Sequence, residues 1–453
     1  MDESPLHKKF QFLEDLKEST EFIRTSRPLK LCLLLNLIYV IGTLMVFFLS
    51  DFFLLAHDFR IFGQSSKILL DNPTDLYTST DYRYPFRYFP LFSFLNIPMS
   101  FLPFSVGFVI HTILMETVHI GSFYLILILC KKFYHLDLST WREMQYLILA
   151  LAAPLQVPNL IIGQISEIYI FLVLLAVLFL ENAKNPRYEH KFNFFFAGVM
   201  LGLSMIYKPF SILLLPFLFP IYLNLNKKHF SIDFKAIIHA ITGFLLPISP
   251  NLYYWIKYPN YLPDFFAINA SAQILDYPST SITRIITSIF AMIGIRFSEF
   301  WFMVVIVLFL FGMIFLYYIL QIPEDRNFSV YFGFAMLILM ISYPDSWFLY
   351  FLIWYMITVP GLLKYRYILQ KYRGDSQDKS FSQIIIYVVS NYGIIYFTIG
   401  IIQALFITKN VFQPYSIDLI QPISLILLAI ALYMQNFRVN KHLLHNEKKS
   451  KPF

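Results

Sequence analysis

Apolar runs separated by short basic connections organise this chain from end to end. Residues 31–49, 165–180 and 300–320 approach or reach the roughly 20 apolar residues that a spanning helix needs. Closely spaced runs of that kind are helices that satisfy their own backbone in lipid. The pattern predicts twelve spans, at 31–50, 104–130, 143–160, 165–181, 192–207, 209–225, 236–254, 300–320, 328–343, 347–363, 381–405 and 417–435. The Lys/Arg-rich connections 8–30, 131–142, 184–191, 227–235, 364–379 and 438–451 then all fall on one side, cytoplasmic by the positive-inside rule, together with both termini. Residues 89–103 lack a full crossing, and Pro90, Pro98 and Pro103 predict a broken or re-entrant segment there. Two large loops, 51–88 and 254–298, face the other side, the second with a turn at Tyr277-Pro278-Ser279. The chain reads as one membrane domain over 31–437, between a cytoplasmic segment 1–30 and a basic tail 438–453.

Composition agrees: 58% of residues are hydrophobic, 19% aromatic and only 14% charged, beyond any ordinary soluble domain. The net charge of +7 lies in the segments between apolar runs, so it reads as membrane orientation and not as a nucleic-acid site. About thirty polar residues precede the first apolar run, which predicts an uncleaved signal anchor over 31–50. The two cysteines, Cys32 and Cys130, lie in or at the end of apolar runs and support neither a disulfide framework nor a zinc site.

Candidate chemistry gathers just outside the first span, in His57-Asp58-Phe59-Arg60, Asp71-Asn72-Pro73-Thr74-Asp75-Leu76-Tyr77 and Tyr82-Arg83-Tyr84-Pro85-Phe86-Arg87-Tyr88-Phe89-Pro90. Other polar residues at helix ends share that side: Asn159, Gln164 and Glu167; Lys208; Asn269; Asp345 and Trp347. Charges at membrane depth are costly and point to function, which places the expected site on the extracytoplasmic face. One carboxylate and several cations suit glycosyl transfer from a polyprenyl phosphate. The acceptor hydroxyl needs a base, whereas the leaving phosphate is already a stable anion and needs only charge stabilisation. Neither a D-x-D pair nor a Gly-rich phosphate loop is present, which argues against nucleotide sugars or ATP. Neither a metal nor a cofactor is called for.

The order Asp58-Phe-Arg, Asp75-Leu-Tyr77, Tyr82-Arg-Tyr-Pro85 with Phe89-Pro90-Leu91, Gly163-Gln164, Ala197-Gly198 through Gly202 to Lys208-Pro209, and Asn269-Ala-Ser271 resembles glycosyltransferase family 87, over roughly residues 30–365. That resemblance implies an all-α GT-C fold and an inverting transfer from a polyprenyl-phosphate sugar, usually mannose, to a lipid-linked or membrane-associated glycan. It also implies that the first-loop aspartate, Asp58, is the base. The chain departs from the family pattern at Ser166, where Asn is usual, and at residues 342–350, where the usual histidine is missing. Either Tyr350 or Asp345 takes over its contact, or sugar preference or activity is altered.

Each candidate has a plainer reading beside the functional one. Asp58 is the expected base, or the N-cap of a helix over 59–70. Lys208 is the expected donor-phosphate partner, or a snorkelling lysine. Arg60, Arg83 and Arg87 are phosphate clamps or interfacial anchors. Gln164, Asn159, Asn269, Asp345, Trp347 and Tyr350 are assigned to sugar or acceptor binding. Against that, Gln164 and Glu167 also suit interhelix hydrogen bonds, Trp347 an aromatic belt, and Asn269 a glycosylation acceptor. His57 is set aside because sequence neighbours on a helix point apart, and His111 and His119 are read as packing groups. A secondary transporter or a non-catalytic subunit of a glycan-assembly complex are the alternative functions.

Overall fold

Prolines and short polar breaks cut the apolar runs into helices of unequal length. The computed structural model describes residues 5–50, 55–82, 85–184, 190–225, 228–270, 281–295, 298–344, 346, 349–373, 381–402 and 420–450. In chain order these form α1 (Pro5–Thr25), α2 (Arg27–Leu49), α3 (His57–Asp71), α4 (Pro90–Leu95), α5 (Ile97–Ser100), α6 (Phe104–Ile128), α7 (Trp141–Leu151), α8 (Gln156–Ile162), α9 (Ser166–Ala183) and α10 (His190–Tyr207). A 3-10 segment (Pro209–Leu218) leads to an antiparallel hairpin, β1 (Ile221–Asn224) and β2 (His229–Ile232). Then follow α11 (Phe234–Ile248), α12 (Pro250–Lys257), α13 (Tyr261–Ala270), α14 (Ile282–Met292), α15 (Glu299–Leu320), α16 (Phe328–Ser342), α17 (Tyr350–Arg373), α18 (Phe381–Tyr387), α19 (Gly393–Ile402) and α20 (Ile420–Ser450).

Among the described residues six helices are long and apolar enough to cross a membrane, or seven if α11 and α12, bent by 55°, count as one span. The protein is a polytopic, all-α membrane protein. Other expected spans are shorter apolar helices, such as Phe192–Tyr207 and Phe328–Ser342. The expected span 209–225 is instead the 3-10 segment followed by β1. Pro216 and Pro220 withhold amides that an α-helix would need there. Residues 90–100, expected to be a broken segment, form two short helices.

Breaks inside the bundle are filled by polar side chains from neighbouring helices. Pro154 interrupts the run between α7 and α8 and leaves carbonyls without helical amides, which is tolerated at membrane depth only where protein satisfies them. Asn36 of α2 and His119 of α6 approach the Leu151 carbonyl at 2.8 and 3.1 Å, and Tyr39 donates to that of Ala152 at 3.4 Å. A carbonyl only accepts, so the His119 ring nitrogen is the donor. Two turns earlier on α6, His111 meets the Gln164 carbonyl at 3.2 Å, in the break between α8 and α9.

Packing sorts the helices by depth. All fifteen residues of α16 are buried, as expected of a helix apolar on every side. By contrast α15 exposes Trp301, Val305, Leu308, Phe309 and Leu316, the surface of a helix bathed in lipid. The α10–α11 pair is the most intimate contact. A methyl group on Gly198 would collide with the Ala240 carbonyl, one on Gly202 with the Phe244 carbonyl, and one on Gly243 with the Phe195 carbonyl, the small-residue packing typical of membrane helices. Lys184, in one of the basic connections, is no simple surface anchor: it pairs with Glu181 at 2.6 Å and donates to the Arg326 carbonyl.

A second, separate core holds the segment that follows α2. Phe59 and Phe62 of α3, Phe86, Phe92 of α4, Phe108 of α6 and Phe265 of α13 are all buried within it. The Ser66 hydroxyl donates to the Ser93 carbonyl at 2.7 Å, and the Tyr77 hydroxyl to that of Tyr88 at the same distance. Aromatic packing and these ties fix α3 and residues 85–89 against the bundle.

Candidate functional site

Two left-handed residues aim the first turn of α3. Ala56 has φ 51° and is fully buried, with its amide donating to the Ile161 carbonyl at 2.8 Å. Gly163 has φ +77°, and a β-carbon there would lie 2.7 Å from that of Phe59. Only glycine permits both that backbone and that approach. The Asn159 carbonyl accepts the amides of Gly163 and Gln164 at 3.0 and 2.9 Å and so closes the turn. As a result the Gln164 side chain faces Asp58.

Asp58 is the second residue of α3 and does not cap it; Ala56 occupies the N-cap, with no side-chain cap bond. One carboxylate oxygen of Asp58 accepts from Nε2 of Gln164, and the other lies 3.2 Å from Nδ1 of His57. The opposite end of the same amide, Oε1 of Gln164, accepts from Nζ of Lys208 at 3.2 Å. Gln164 thus stands between a carboxylate and an ammonium, oriented to serve both. Lys208 is only 4% exposed and lies 5.3 Å from the centre of the Tyr350 ring. Arg87 donates to the Tyr343 hydroxyl at 2.9 Å, and Asn269 donates to the carbonyls of Phe265 and Arg87 at 2.9 and 3.5 Å. Burial and the nearby Asp58 carboxylate push the Tyr88 phenol well above its usual range, so that wall stays neutral.

These side chains open on one cavity of about 590 Å³, within the usual size for a small-molecule site. Its head carries His57, Asp58, Arg87, Gln164, Lys208 and Tyr343. Its lining is otherwise largely apolar: Phe300, Met303, Val304 and Val307 recur at the spacing of one face of α15, joined by Ile212 and Leu213 of the 3-10 segment.

The sequence-predicted residues Asp58, Arg87, Gln164, Lys208, Asn269 and Tyr350 therefore meet around one cavity. Arg60 does not join them. It is exposed, with its guanidinium 5.0 Å from the centre of the Phe104 ring. Asn159 is buried, lies outside the cavity lining and acts through its carbonyl on the Gly163 turn. Arg83, Asp345 and Trp347 lie outside the described residues. His57 and Tyr343 complete the site although neither was assigned to it from the sequence. The adjacency of His57 to Asp58 was the one available signal: although both residues are helical, Nδ1 of His57 lies 3.2 Å from the Asp58 carboxylate.

Fold and cavity together define a polytopic helical membrane protein with a carboxylate-and-cation site at the head of an apolar cavity. Within that class the chain belongs to glycosyltransferase family 87, whose profile matches residues 86–343, more than half of its length. It is a membrane glycosyltransferase. The matched stretch includes Arg87, Gln164, Lys208, Asn269 and Tyr343 and begins beyond Asp58. No curated protein matches the chain.

Proposed function

We propose that the protein transfers a mannosyl group from a polyprenyl-phosphate donor to a lipid-linked or membrane-associated glycan at the extracytoplasmic face, with inversion and without a metal. The observation that carries this reading is the Asp58–Gln164–Lys208 array at the polar head of a cavity with an otherwise largely apolar lining. The acceptor oxygen attacks the anomeric carbon while Asp58 takes its proton. The bond from that carbon to the phosphate oxygen breaks, and its electron pair leaves on the phosphate. Lys208 and Arg87 stabilise the departing anion. Gln164 bridges Asp58 and Lys208, its amide donating to the carboxylate and accepting from the ammonium. The polyprenyl chain lies along the face of α15 that lines the cavity.

The test is transfer of radiolabelled mannose from polyprenyl-phosphate mannose to membrane lipid extracts, with purified wild type, Asp58→Asn and a parallel reaction in EDTA. Transfer is expected in wild type, is expected to survive EDTA, and is expected to fall by at least about 100-fold in Asp58→Asn, the scale of a lost general base. Equal transfer by both proteins removes Asp58 from catalysis. No transfer by either, across several donors and acceptors, favours a transporter or a non-catalytic subunit.

A further inference from the structure

We propose that His57 is the positioning residue of the base: it donates Nδ1–H to one oxygen of Asp58 and holds the carboxylate in the orientation that receives the acceptor proton. This rests on the glycosyl-transfer reading above. The two groups are 3.2 Å apart, with His57 7% and Asp58 19% exposed, and both line the cavity. An ionised carboxylate only accepts, so the Nδ1 atom carries the proton in the resting site. Gln164 holds the second oxygen. A carboxylate held at both oxygens no longer rotates about its terminal bond, and its remaining lone pairs have fixed directions.

Local geometry makes the pair possible. On a regular helix successive side chains diverge by about 100°, yet His57 and Asp58, the first two residues of α3, bring Nδ1 and a carboxylate oxygen within 3.2 Å of each other. The Ala56 amide is pinned to the Ile161 carbonyl, so the start of α3 is anchored to the end of α8, beside the turn that delivers Gln164. During transfer the acceptor proton ends on Asp58, and His57 keeps its own proton throughout.

Two measurements test the assignment. Steady-state transfer is compared among wild type, His57→Phe and His57→Asn, since the Asn amide donates from nearly the position of Nδ1. Loss of a hydrogen bond to a charged group predicts a kcat lower by about 10- to 100-fold in His57→Phe, with the donor KM within about twofold and most of the rate restored in His57→Asn. A full rate in His57→Phe, a loss confined to KM, or an Asn variant no better than Phe overturns the proposal. The second measurement is the 15N spectrum of histidine-labelled protein, with the His57 signal identified by its loss in His57→Asn. An Nδ1-protonated ring whose signal moves in Asp58→Asn is expected. An Nε2-protonated ring, or no movement, overturns the pairing. A wild type that transfers nothing removes the reaction assigned above, and the spectrum then decides the His57–Asp58 pair by itself.

Discussion

Gln164 is the residue on which the charges at the head of the cavity depend, because its amide has one donating and one accepting end and each meets a group of matching sign. Gln164→Glu removes the donor and brings a like charge against Asp58. Transfer is expected to fall by about 100-fold or more, whereas Gln164→Ala, which leaves space for water, is expected to lose only about tenfold. Rates at saturating donor distinguish the two. Lys208→Arg is not conservative here. The ammonium is buried under Tyr350, and a planar guanidinium needs both more room and a different donor geometry. Its transfer is expected to stay near that of Lys208→Met, at least about tenfold below wild type. At this scale the sequence was informative about charged residues. Lys208 is an anomaly at the end of an apolar run, and Asp58 was picked from a charged loop by its position, its companions and the family resemblance. Arg60 shows the limit of that argument: only its packing beside Phe104 reveals that it turns away from the site.

Helix breaks and helix contacts carry the site into place. Gly163→Ala forces a β-carbon into Phe59 at a left-handed backbone, so a stability loss of about 1–3 kcal/mol is expected. Because Phe59 adjoins Asp58, a fall in transfer larger than the fall in folded fraction should accompany it, read by thermal unfolding in detergent beside the activity assay. At the α10–α11 contact, Gly202→Leu meets backbone of the facing helix. It is expected to lower the unfolding temperature by several degrees or to prevent folding, through overpacking. Pro154 and the prolines around 209–220 lie at breaks where the hydropathy pattern predicted unbroken spans, 143–160 and 209–225. The groups that fill the breaks were not legible either. His111 and His119 look like ordinary polar residues of one apolar helix, and only the approach of α8 and α9 gives each its carbonyl.

Across the whole molecule the cavity joins a polar head built from α3, the α8–α9 break and residue 208 to an apolar wall supplied by α15, about 240 residues further along the chain. Narrowing that wall should discriminate by lipid length. Val304→Trp is expected to raise the KM for a long polyprenyl donor by about tenfold, as lost apolar contact and steric blockage predict, with little change for a short-chain water-soluble analogue. A common effect on both donors counts against a lipid groove along α15. The linear order of apolar runs, basic connections and prolines determined that this is a helical membrane protein. It also located several of the long helices, such as α6, α9, α15 and α16, because hydropathy and backbone hydrogen bonding act over about twenty neighbouring residues. It likewise exposed the rare charges. Which of those charges face one another, that a glutamine stands between the carboxylate and the ammonium, and that α15 lines the same cavity were decided only by tertiary structure, since these contacts join positions that neither periodicity nor composition relates.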